Sequence, residues 1–303
     1  RRVPMLINLM LAIWCSSPET AMAQDVQPNR TDSQKAGRLT ERTSPVGDDE
    51  MVVYKTVGDV EIKAWVKLPQ GRGPFPVMIY IHGGGWLSAM AQGRPSSFSR
   101  MSAHMARLGI AGVQIFYRGK QTVTINETAA DVMDAVEWVR KNAAKYNFDL
   151  TRLGLAGSSA GGHLAALVGQ WTPDCVCVVS IAGPCDIPLL MAEWMDRHKG
   201  EADRHDPRTA RHFGSPEYWG DENNIRKHSP AHQLRALPPK TLLVQGSEDT
   251  TVPYEYAEQF LKQLRAKGGE AELKLFKGAP HRFHDIPTSP FYEPSMKAVE
   301  AFL

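Results

Sequence analysis

Neither sign of charge dominates this 303-residue chain: 35 Lys plus Arg stand against 33 Asp plus Glu, a formal net charge of +2. That balance excludes the basic stripe with which a nucleic-acid binder displaces counterions. An apolar run long enough to cross a bilayer is also missing. The leading candidate, Val3 to Trp14, is 12 residues long and contains Asn8, whereas a spanning helix needs about 20 apolar residues, so no stable membrane anchor is expected. Cysteine is scarce, four in all, which leaves too few for a disulfide scaffold. No internal repeat is visible. At 42% apolar residues the chain can bury one large core without staples or metal, and one catalytic-sized domain with a small, uncharged partner is the expectation. The oligomeric state is not legible.

The first residues read as an address. Arg1-Arg2, the short apolar run and the small-residue end Ala21-Met22-Ala23 have the layout of a signal peptide over residues 1–23. Cleavage before Gln24 and export to the periplasm or the medium are expected. Residues 24–50 are polar and poor in apolar side chains, so they read as a flexible leader, and the domain spans 51–303. Beyond the leader lie Cys175, Cys177 and Cys185. A Cys177–Cys185 bridge is one reading; the other takes Cys175 and Cys177, alternating with Val176 and Val178, as small hydrophobes of a buried strand.

From Met51 onward, short apolar runs predict strands at 52–57, 60–68, 77–81, 111–117, 153–156, 176–181, 241–245 and 272–276, the first two joined as a hairpin at Gly58-Asp59. Helical patterns at 97–108, 128–144, 162–170 and 254–267 alternate with the later ones. That alternation calls for an α/β fold, a mostly parallel sheet with helices on both faces. The segment 188–230 breaks the rhythm and reads as a cap or lid insertion at the carboxyl edge of the sheet, where loops shape pockets. His198, His205 and His212 recur there every seven residues. Pro207 argues against one helix carrying all three, and two turns, about 10 Å, separate neighbours even on such a helix, too far to share a zinc ion. No metal and no cofactor is expected.

Chemistry concentrates in four places. Arg152-Leu-Gly-Leu-Ala-Gly157-Ser158-Ser159-Ala160-Gly161-Gly162-His163 puts Gly-x-Ser-x-Gly between a strand and a helix, the context of a nucleophile elbow. The turn is so tight that side chains at 157 and 161 would collide with neighbouring backbone, and Ser159 projects with the Ala160 amide at a helix N-terminus. About 75 residues earlier, His82-Gly83-Gly84-Gly85-Trp86 follows a strand. Its glycines let amides approach a developing oxyanion, and Gly84, Gly85 and Ala160 are the expected donors. An acid and a base should follow the serine in that order. Asp249 closes the strand 241–245, with Glu248 as the adjacent competitor. His281 follows the strand 272–276, with His284 as the alternative three residues on. An imidazole oriented by a carboxylate takes the Ser159 proton and returns it to a leaving alcohol, which is acyl-enzyme chemistry. His163, on the helix after the elbow, reads as packed rather than catalytic. Trp86, Tyr117, Trp194 and Trp219 are the candidate substrate-binding aromatics, although aromatics of a cap also serve as its core.

With HGGGW at 82–86, Tyr117-Arg118, the helix 130–140, GSSAGGHLAAL at 157–167, Ser229-Pro230 and GSEDTTVP at 246–253, the chain resembles the bacterial hormone-sensitive-lipase-like esterases. Within them it is similar to the feruloyl- and acetyl-esterase (BD-FAE-like) branch. The resemblance covers about residues 77 to 283. It implies the α/β-hydrolase fold, Ser159, Asp249 and His281 as a triad, and a serine esterase acting on small-molecule or carbohydrate esters, short-chain, acetylated or feruloylated. Many lipase-like members carry Asp or Glu before the nucleophile; Ser158 stands here, which leans towards the polysaccharide-esterase-like branch. Two other readings share the scaffold: a prolyl-oligopeptidase-like peptidase, against which stand the HGGGW loop and the missing propeller, and a non-catalytic binding protein.

Overall fold

The computed structural model describes residues 24–26, 49–87, 96–197 and 213–303. The expected signal peptide and the three cap histidines therefore lie outside the described residues. Apolar runs that read as strands pair into one sheet in the order β1-β9-β8-β7-β6-β4-β5-β3-β2. Its members are β1 (Gln24–Val26), β2 (Glu50–Val57), β3 (Val60–Lys67), β4 (Phe75–Ile81), β5 (Ala111–Ile115), β6 (Phe148–Ser158), β7 (Cys175–Ile181), β8 (Lys240–Gly246) and β9 (Ala271–Phe276). Among the described residues only the β2–β3 and β3–β5 pairings are antiparallel. Strands β4 and β8 are buried on both faces, which explains why they read as near-continuous apolar runs rather than alternating ones.

Two departures from the expected elements concern pairing that short-range pattern does not encode. Gln24–Val26, the start of the stretch read as leader, adds to the sheet edge in parallel with Lys274–Phe276, where β9 otherwise offers unpaired backbone groups. Strand β6 begins at Phe148 rather than near Leu153, because Phe148 and Asp149 pair with Phe75 and Pro76 before a register shift.

Helices cover both faces. On one side α2 (Ile125–Lys141), α4 (Ala160–Trp171) and α8 (Tyr254–Ala266) bury Val132, Leu164 and Phe260 in the larger core. On the other, α1 (Ser96–Arg107) and α9 (Tyr292–Phe302) bury Met101, Met105, Met296 and Phe302. Helix α2 starts at a capping box in which Thr124 and Glu127 satisfy each other's backbone amides. Its fully buried Asp131 accepts from Lys55 Nζ (2.6 Å), the Arg118 amide (2.9 Å) and the Arg118 guanidinium (2.8 and 2.9 Å). A carboxylate with that many donors is compensated for its burial, and it anchors the segment after β5 to α2.

The expected insertion at 188–230 is helical where it is described: α3 (Ala143–Tyr146) precedes it between α2 and β6, and the insertion itself holds α5 (Ile187–Arg197), α6 (Pro216–Trp219), α7 (Glu222–Lys227) and a 3-10 turn at Pro230–His232. Phe213, Tyr218 and Trp219 join the larger core, so this part of the cap is packed into the domain. The Cys177–Cys185 bridge does not form: all three cysteines are free. Cys177 packs with the α1/α9 core and Cys185 with the α2/α4 core, so the sheet separates the two sulfurs. Burial pushes the Cys177 thiol up to about 11 and raises the other two further, which leaves them as unreactive apolar side chains.

Candidate active site

Parallel topology gathers the carboxyl ends of β4, β6, β8 and β9 along one edge, and each of the four chemistry-bearing segments leaves one of those ends. After β6, Ser159 adopts φ 51° and ψ −123°, a conformation rare for a side-chain-bearing residue and characteristic of stored strain. Its amide donates to the Ile181 carbonyl at 2.8 Å, and its carbonyl accepts the His163 amide at 3.0 Å as α4 begins. A Cβ on Gly157 would run into the Gly161 carbonyl, and one on Gly161 into the carbonyl of Ile81. The two glycines of the motif are therefore required by helix α4 and by the end of β4 respectively.

A continuous hydrogen-bonded chain leads from the serine. Ser159 Oγ lies 2.9 Å from His281 Nε2, and His281 Nδ1 lies 2.7 Å from Asp249 Oδ2. With the carboxylate accepting at Nδ1, the imidazole carries its proton there and presents a lone pair to the serine hydroxyl, which donates. Asp249 is buried and held on its other side. Its Oδ1 accepts the amides of Thr251 (2.9 Å) and Val252 (2.8 Å), and its Oδ2 accepts Gln245 Nε2 at 2.9 Å. Gln245, which also donates to the Val252 carbonyl at 2.8 Å, escaped the sequence reading. Its signal was a lone polar side chain at the end of an apolar strand.

The structure separates the alternatives that spacing left open. Glu248 is exposed, whereas Asp249 faces His281. His284 is buried with its Nε2 3.2 Å from Asp285, and burial first, then the neighbouring His281, pushes its pKa down to about 4 although Asp285 opposes this.

The 82–86 loop closes onto the elbow through Gly83, a residue not among the expected donors. A Cβ there would come within 2.7 Å of the Ser158 carbonyl and 3.3 Å of Ser159 Cβ. Gly84, by contrast, is exposed and Gly85 partly so. Among the described residues no acceptor is paired with the amides of Gly83, Gly84, Gly85 or Ala160. His82 Nδ1 donates to the Gly83 carbonyl at 2.7 Å.

Three of the four aromatic substrate-binding candidates are corrected by their burial. Tyr117 is wholly buried: it stacks on the His82 ring at 4.2 Å and donates its hydroxyl to the His82 carbonyl at 3.0 Å, so it backs the loop instead of lining a pocket. Trp219 donates Nε1 to the Phe213 carbonyl at 2.7 Å inside the core, and Trp86 is buried against it edge-on. Trp194 is half-buried, edge-on to Phe213. Aromatic residues in a cap bury more area than any other choice, and core packing claims them first.

Residues 66–264 match the BD-FAE family. The chain belongs to that family. Among curated relatives, it is 29% identical to esterase LipC of Mycobacterium tuberculosis over 80% of this chain and 61% of that one. The chain thus spans about three fifths of that relative's length. Among solved structures, it is 26% identical to Thermogutta terrifontis esterase 2 phosphonylated by sarin, with a TM-score of 0.70 over 84% of this chain and 94% of that one. The butyrate-bound form of the same esterase is 26% identical, with a TM-score of 0.67 over 84% and 93%. The BD-FAE membership and these neighbours establish the α/β-hydrolase fold.

Proposed function

We propose that this BD-FAE protein is a serine carboxylic-ester hydrolase that works through an acyl-enzyme. The observation that carries the reading is the unbroken chain Ser159–His281–Asp249 at a strained elbow, onto which the 82–86 loop closes through Gly83. In the forward step Ser159 Oγ attacks the ester carbonyl while its proton passes to His281 Nε2. The carbonyl oxygen becomes an oxyanion facing the amides of Ala160 and of the 83–85 loop, each worth about 3 kcal/mol in a preorganised site. Collapse of the tetrahedral intermediate breaks the bond to the alkoxide, which takes the proton from His281. Water then repeats the sequence on the acyl-enzyme, its proton taken by His281 and returned to Ser159 as the acid leaves. Asp249 holds the ring tautomer and offsets the imidazolium charge without itself being protonated.

Short-chain esters, or acetylated or feruloylated sugar esters, are the substrates we favour. The family match and the butyrate- and propionate-bound relative support the short chain. The layout of residues 1–23 supports export to the periplasm or medium. A panel of p-nitrophenyl acetate, butyrate and octanoate with methyl ferulate tests the substrate class. We expect kcat/KM to be highest for acetate or butyrate and to fall at least about tenfold by octanoate, consistent with the few kcal/mol that methylene discrimination supplies. An octanoate optimum would contradict the short-chain reading, and cleavage of proline peptides without any ester cleavage would favour a peptidase.

A further inference from the structure

The far end of the 82–86 loop is tied down by a side chain that the proposed chemistry does not use. Trp86 sits at φ 59°, a costly conformation for a bulky residue, and is held from two directions. Its carbonyl accepts the Lys120 amide at 2.8 Å, and its indole Nε1 donates to His163 Nδ1 at 3.1 Å. His163 is wholly buried on α4, one turn past the serine. Its Nε2 donates to the His228 carbonyl at 2.6 Å. His228 is the C-cap of α7, where the cap returns to the domain, and its own Nδ1 donates to the Asn224 carbonyl at 2.8 Å. Trp219 packs edge-on against both Trp86 and His163. One imidazole therefore joins the elbow helix, the glycine loop and the end of the cap.

Both bonds need a single neutral tautomer, with a lone pair at Nδ1 and a proton at Nε2; the other tautomer or a protonated ring would set an N–H against the indole N–H. Burial pushes the His163 pKa down to about 3, so the neutral ring persists.

We propose that His163 is a positioning residue: by holding Trp86 it sets the glycine-loop amides at the distance from Ser159 that an oxyanion requires, and it ties that setting to the returning end of the cap. This rests on the serine-hydrolase reading above. A hydrogen bond that only stabilised the fold would change melting without changing turnover per competent site, whereas misplacing oxyanion donors by about 1 Å costs up to roughly a hundredfold in turnover.

The test is turnover of p-nitrophenyl acetate per active site, with sites counted by fluorophosphonate titration. It compares wild type, His163→Phe, His163→Gln, Trp86→Phe and the double variant Trp86→Phe/His163→Phe. Each Phe variant is expected to lose about ten- to a hundredfold in kcat per titrated site with KM within about twofold. The double should be no worse than the poorer single, and His163→Gln, whose amide can both accept and donate, should recover most of the loss. Unchanged kcat per site in the folded single variants, a double that multiplies their losses, or a Gln variant as poor as Phe would overturn the role of His163. If His163→Phe does not fold, Trp86→Phe and His163→Gln decide between the same outcomes. Wild type that neither titrates nor cleaves the ester would instead contradict the hydrolase reading itself.

Discussion

Replacing Ser159 with alanine is expected to lower kcat/KM on p-nitrophenyl acetate by about four to six orders of magnitude, the range seen when the nucleophile of a unit that acts together is removed. The fold should survive. The serine side chain contributes one hydrogen bond, to His281, worth about 1 kcal/mol, which corresponds to a shift of only a few degrees in melting temperature. Because the base has nothing to activate without the hydroxyl, adding His281→Ala to Ser159→Ala should cost little more. That non-additivity separates a shared proton path from two independent contributions. Steady-state kinetics of the two single variants and the double, with melting curves for each, provide the check. A Ser159→Ala protein that keeps more than about a hundredth of wild-type activity would place the nucleophile elsewhere.

Acid should unfold the protein through groups that play no direct part in that proton path. His82, His163 and His284 are buried, and burial pushes their pKa values down to about 4, 3 and 4. In the unfolded chain each titrates near the ordinary value of about 6.5. Above that pH all three are neutral in both states and stability is insensitive to them. As pH falls from about 6.5 towards 4 the unfolded chain takes up three protons that the folded one refuses, so stability falls. At about 1.4 kcal/mol per proton per pH unit, each histidine contributes a loss of roughly 3 kcal/mol by pH 4, about 10 in all, comparable with the whole stability of a typical domain. We therefore expect melting temperature to fall steeply below about pH 6, with cooperative unfolding between about pH 4 and 5. Melting curves at half-unit pH steps test this. A melting temperature unchanged down to pH 4.5 would show that these imidazoles are not held neutral.

What the sequence made legible follows from how strongly backbone geometry restricts residue choice. Gly157 and Gly161 could be read because helix α4 and the end of β4 leave no room for a Cβ at either, and a strand–turn–helix context around a serine has few other uses. The parallel sheet was legible because strands buried on both faces must be apolar throughout. His281 and His284 stayed open because both follow β9 closely, and only tertiary packing turns one to Asp249 and the other to Asp285. The aromatic assignments went astray for a related reason: a tryptophan in a cap looks the same in sequence whether it faces a substrate or, like Trp219, fills the core. Gly83 and His163 act through neighbours brought in from distant segments of the chain, which no local pattern marks, and Gln245 left only a lone polar side chain at the end of an apolar strand. The Cys177–Cys185 pairing looked open because sequence separation says nothing about which side of a sheet a sulfur occupies.

The central claim is that Ser159 is the activated nucleophile. Its most direct test is stoichiometric labelling with a fluorophosphonate, followed by intact-mass measurement and peptide mapping, on wild type and Ser159→Ala. The account predicts one adduct per wild-type chain, located on Ser159, with hydrolysis lost in step with labelling and no adduct on the variant. An unlabelled wild type, or an adduct that maps to another residue and persists in Ser159→Ala, would contradict it.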